Sequence, residues 1–116
     1  MYFTIFVVLL TGFITYSLTG DNLISSSTAK KMIKSGQIKK VVDVRTKTEY
    51  DAGHYKGSIH IPVYKINKQT TSRLSKNEGI LVYCNTGQRA RYASEKLMIL
   101  GFKNVYYISG HYSTIF

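Results

Sequence analysis

The sequence predicts an α/β domain built on a largely parallel sheet. Three observations carry that reading: short runs rich in β-branched and aromatic residues at 41–44, 79–83 and 105–108, segments of helical period between them, and short connections joining the two. A chain of 116 residues has room for one modest core and not for two. Hydrophobic content of 44% against 19% charged residues is that of a globular chain, not a disordered one.

Met1 to Gly20 carries no charged side chain, and Ile5-Phe6-Val7-Val8-Leu9-Leu10 is strongly apolar. The length suits a membrane span of roughly 20 residues. Residues 1–20 are therefore read as a hydrophobic anchor helix ahead of a domain at 23–116. A secretory signal peptide is the competing reading, weakened by the missing basic start and the poor cleavage site at Leu18-Thr19-Gly20. Lys30, Lys31, Lys34, Lys39 and Lys40 follow the span closely, which favours a membrane-anchored domain on the cytoplasmic side. Cleavage would instead leave the domain exported or periplasmic.

The elements follow in order. Ser25-Ser26-Ser27 offers a helix N-cap, Ala29, Met32 and Ile33 give an apolar face, and Gly36 is a natural stop. Val41-Val42-Asp43-Val44 reads as a buried strand. Thr46-Lys47-Thr48-Glu49 is a capping box, so a short helix starts there and fades by Gly53. Ser58 to Pro62 is a brief extended piece. Between Val63 and Lys76 the pattern is weak; Ile66 and Leu74 hint at a loose helix that Thr70 and Thr71 oppose. Gly79 to Tyr83 is a second buried strand. Ala90, Ala93, Leu97 and Leu100 repeat at helical spacing, Gly101 closes that helix, and Val105 to Ile108 is the last strand.

The net charge of +10 favours anionic partners, but the basic residues form no run longer than two, so nucleic-acid binding is not expected. The single cysteine excludes an internal disulfide, a Cys-x-x-Cys motif and an internal resolving thiol. His54, His60 and His111 do not fall at ligand spacings, and no metal or other cofactor is expected.

Cys84 ends a buried strand, and Asn85-Thr86-Gly87-Gln88 leads into a helix. Open α/β sheets place their sites at such strand ends. The free N–H groups and dipole at the start of the next helix favour an anion there, hence a thiolate. Gly87 can take the positive φ that a tight anion-cradling loop needs, and Arg89 adds a positive charge at the end of the loop. Taken alone, a cysteine at the end of an apolar strand is a small buried hydrophobe. The glycine, the arginine and the helix together point to a reactive thiol.

Several blocks, in the right order, resemble the rhodanese family. Asp43-Val44-Arg45 with Glu49 to Pro62 is similar to the family's first signature. Val82 to Ala90 is similar to its active-site loop, and Leu100 to Ile108 to the helix end and strand that follow. The resemblance implies a largely parallel central sheet of about five short strands flanked by helices. It implies that Cys84 is the nucleophile, taking a sulfane sulfur from a small anionic donor such as thiosulfate to become a persulfide. The backbone N–H groups of Asn85, Thr86, Gly87, Gln88 and Arg89 would cradle that sulfur, and Arg89 would help bind the donor. Asp43 and Arg45 would brace the surrounding loops. Cyanide, a thiol or a protein would accept the sulfur. His54 and His60 are expected to be structural.

Cysteine phosphatases set their arginine one residue further from the cysteine, so the spacing here argues against phosphatase chemistry. A non-enzymatic persulfide carrier or docking module is the alternative reading. Two departures from the family pattern stand out. The chain runs only to Phe116 after the last strand, so the final helix is expected to be very short or absent, leaving one sheet face thinly covered. Ala90 stands where Ser or Thr is frequent, which removes a side-chain hydrogen bond to the persulfide.

Overall fold

The computed structural model describes residues 22–116. The segment 1–20, read from sequence as an anchor or signal, lies outside the described residues. Among the described residues no helix is long and apolar enough to cross a membrane.

Helix α1 spans Ser26–Ser35. Ser25 caps it by accepting from the Thr28 N–H at 3.1 Å, and Gly36 ends it in the left-handed region. Strand β1 is Lys40–Asp43, and helix α2, Lys47–Ala52, starts at the Thr46–Glu49 capping box. Strand β2 is only Ile59–His60, followed by a 3-10 turn at Val63–Lys65. Strand β3 is Gly79–Tyr83, helix α3 is Gln88–Ile99, and strand β4 is Asn104–Tyr107. A last 3-10 turn covers Tyr112–Ile115.

The sheet has four strands in the order β2-β1-β3-β4, and every pairing is parallel. The expected fifth strand is reduced to one bridge, Leu23 beside Tyr107. Ser25 starts helix α1 two residues later, so the chain leaves the sheet edge before a ladder can grow. The loose helix hinted at between Val63 and Lys76 is also absent. Asn67 Oδ1 accepts from the Thr70 N–H, and the Thr70 and Thr71 hydroxyls donate to the carbonyls of Lys65 and Asn67. These local bonds hold turns in place of a helix. Ile66 and Leu74 are buried all the same.

Strand alternation sorts the core into two layers. Val42, Val44, Ile80, Val82 and Val105 pack under α3 with Ala93 and Leu97. Val41, Leu81, Tyr83 and Ile108 pack on the other face with Ala29 and Ile115. The thin face expected at the end of the chain is closed by the final turn. Ile115 is buried there, and Thr114 Oγ1 lies 2.7 Å from Ser26 Oγ of α1.

Candidate active site at the Cys84 loop

Period-two alternation decides where each side chain at the end of β3 goes. Ile80 and Val82 face α3, so Cys84 does too; Tyr83 points to the opposite face. Cys84 is fully buried. Its Sγ accepts from the backbone N–H of Gly87 at 3.1 Å and of Ala90 at 3.3 Å. Both donors belong to the start of α3, where N–H groups have no partner within the helix. The sulfur therefore sits at the positive end of the α3 dipole.

Gly87 makes this geometry possible twice over. Its φ of 96° lies in the left-handed region, and an added Cβ would stand 2.8 Å from Ser109 Cα. The other residues singled out from sequence divide. Thr86 is an exposed loop position, and Gln88 is the exposed first residue of α3. Asn85 turns aside, its Nδ2 donating to Glu49 Oε2 at 2.7 Å. Arg89 places both terminal nitrogens on the same carboxylate, at 2.7 and 3.0 Å. Of the five N–H groups expected to cradle the sulfur, only that of Gly87 reaches Sγ in this state. The second comes from Ala90, one residue beyond the expected span.

Glu49 is the residue that sequence reasoning missed. Its capping role was legible from the Thr46 spacing, but nothing local marks a partner 40 positions on. Arg89, then the cap at Thr46, holds the Glu49 carboxyl well below the usual carboxylate range. In return, Glu49 keeps the Arg89 guanidinium protonated above its ordinary value.

Asp43 and Arg45 lie on the far side of the sheet from the thiol, with Tyr83. Arg45 donates to both Asp43 oxygens, Nη2 reaching Oδ2 at 2.7 Å, and also to the Gly53 carbonyl at 2.6 Å. Tyr83 donates its hydroxyl to Asp43 Oδ2 at 2.5 Å and accepts the Tyr55 N–H at 3.0 Å. The guanidinium lies 5.0 Å from the Tyr112 ring centroid. The cluster fixes the loop after α2. His54 and His60 stack on the two faces of Tyr50, with centroids 3.7 and 4.3 Å away. Each donates a ring N–H to a backbone carbonyl, that of Tyr50 and of Arg45 respectively. Both imidazoles are thereby used in packing. Among the described residues no three His, Cys, Asp or Glu side chains gather as a metal set.

Fold and site together define a parallel α/β domain carrying a thiol on an anion-type strand-to-helix loop. The Rhodanese-like domain family matches residues 25–115, and the chain belongs to that family. It is 32% identical over 82 residues to the provisionally named sulfur carrier protein YrkF of Bacillus subtilis (strain 168), a match covering 71% of this chain and 44% of that protein. The chain thus spans less than half the length of this relative. The BH2092 protein of Bacillus halodurans superposes with a TM-score of 0.70 at 31% identity, over 90% of this chain and 78% of that one. A rhodanese of E. coli solved with anions gives 0.58 at 30% identity, over 66% and 89%.

Proposed function

We propose that the protein is a sulfurtransferase that carries a sulfane sulfur on Cys84 between a donor and an external thiophilic acceptor. One observation carries this reading: a single thiol held at a helix start, with two backbone N–H groups already on its sulfur. Such a setting offers hydrogen-bond donors to a negatively charged sulfur added at that position. Family membership and the anion-bound E. coli rhodanese support it.

With thiosulfate as donor, the Cys84 thiolate attacks the outer sulfur. The S–S bond breaks, sulfite leaves with the electron pair, and a Cys84 persulfide anion remains. Cyanide or a thiolate then attacks the outer sulfur of the persulfide and regenerates the Cys84 thiolate, a ping-pong cycle. Among the described residues, the N–H groups of Asn85, Thr86, Gln88 and Arg89 make no backbone hydrogen bond in the resting loop. They are the donors left for the added sulfur.

Intact mass of the full chain, before and after thiosulfate, tests the proposal. A gain of about 32 Da that cyanide removes, and that a Cys84→Ser variant never shows, is the expected result. A free thiol that gains nothing from thiosulfate or from a persulfide donor would sink it. A carrier role is favoured by one further observation, the complete burial of Cys84 in the resting state. In that reading sulfur loads, but cyanide turnover stays negligible until a partner protein is added.

A further inference from the structure

Arg89 was expected to hold an anionic donor, yet its fork is already taken. Nη1 and Nη2 lie 2.7 and 3.0 Å from the two oxygens of Glu49. Asn85 Nδ2 takes the same carboxylate at 2.7 Å, and the Thr46 N–H and hydroxyl each reach it at 3.0 Å. Glu49 thus stands in helix α2 and grips the Cys84 loop at both shoulders, Asn85 before Gly87 and Arg89 after it. An end-on pair of this kind takes the Nη1–Nη2 fork and balances the charge of the guanidinium, leaving only its Nε edge for a second anion.

The consequence falls on donor choice. A dianionic donor that seeks the Nη1–Nη2 fork must displace a carboxylate that three other donor atoms also serve, and at the Nε edge it meets a guanidinium whose charge is already balanced. A donor with little charge needs only the N–H groups at the start of α3. We propose that Glu49 is a specificity-determining positioning residue, which sequesters Arg89 and turns the site from thiosulfate towards hydropersulfides of small thiols, R–S–SH. The inference deepens the sulfurtransferase reading and rests on it. In the favoured step the Cys84 thiolate attacks the outer sulfur of R–S–SH. The S–S bond breaks, Cys84–S–SH forms, and the departing RS⁻ takes up its proton to leave as RSH and a Cys84 persulfide anion.

Glu49→Gln is the variant to make, because glutamine keeps an oxygen for the Thr46 cap and removes the charge together with the oxygen that Asn85 Nδ2 and Arg89 Nη2 use. Sulfur loading of the full chain is followed with thiosulfate and with a neutral alkyl hydropersulfide, kcat and KM being read separately. The expected result is a thiosulfate KM about five- to tenfold lower in the variant, with the hydropersulfide KM unchanged. A thiosulfate KM that stays or rises, or one that moves in step with the hydropersulfide KM, would show a merely structural residue and overturn the proposal. Should the variant fail to fold, the wild type decides. Two hydropersulfides of equal size, one bearing a carboxylate and one an amide, are compared at about 0.15 M salt to screen long-range attraction. The carboxylate donor is expected to load several-fold more slowly, and equal or faster loading overturns the proposal. If neither thiosulfate nor any hydropersulfide loads the wild type, the parent reading falls and takes this one with it. Loading with unaltered donor preference removes this inference alone.

Discussion

Asp43 Oδ2 takes both the Arg45 guanidinium and the Tyr83 hydroxyl, and all three side chains are buried. Burial, then the Asp43 carboxylate, pushes the Tyr83 phenol up to about 12. The unfolded chain releases that proton near 10, so Tyr83 stabilises the fold below pH 10 and loses its contribution as pH rises towards 12. Tyr83→Phe is expected to cost about 1.5–3 kcal/mol at pH 7, as the loss of a hydrogen bond to a charged group. Urea unfolding at a series of pH values should show the gap between wild type and variant closing above pH 10. A gap of constant size would mean that the phenol does not titrate through Asp43. At this scale the sequence was legible where the signal is local. Cys84, Gly87 and the Thr46 cap follow from neighbouring residues. The grip of Glu49 on Arg89 does not, because it needs the register of two elements that only the folded sheet supplies.

Helix α3 sets the loop, and its own position is set by Ala93 and Leu97 against Ile80 and Val82. Leu97 is 1% exposed, so Leu97→Ala is expected to cost about 2–5 kcal/mol through lost burial and a residual cavity. Thermal unfolding reads that loss. Sulfur loading well below the transition should survive, since neither N–H group that donates to Sγ is altered; its disappearance would tie the loop's geometry to the packing of the whole helix. The helices and three of the strands were readable because caps, stops and periodicity agree within each. The turns after Val63 were not, because Thr70 and Thr71 satisfy the backbone through side-chain bonds that mimic no regular period. The fifth strand failed for a different reason. Family pattern suggested it, while Ser25 begins a helix too soon after Leu23 to allow more than a bridge.

The chain's charge lies wholly beyond residue 20 and is strongly positive. Such a field raises the encounter rate of anions from a distance, independently of what Glu49 does at close range. Raising salt from about 0.02 to 0.5 M is therefore expected to slow loading by thiosulfate several-fold, and to leave a neutral donor unaffected. Equal sensitivity of both donors would place the salt effect on the fold instead. Which strand neighbours which was not readable from period or composition, and the order β2-β1-β3-β4 emerges only in three dimensions. Alternation at the end of β3 gives adjacent residues separate duties: Tyr83, the last residue of the strand, belongs to the ionic cluster on one side and Cys84, just after it, to the sulfur loop on the other. The partition makes the domain permissive to replacement and brittle to length change. One residue inserted into β3 would invert it, delivering the thiol to the arginine–aspartate side and a phenol to the helix start. Drift in this lineage can rewrite either surface independently, provided the reading frame of the strand between them is never shifted by one.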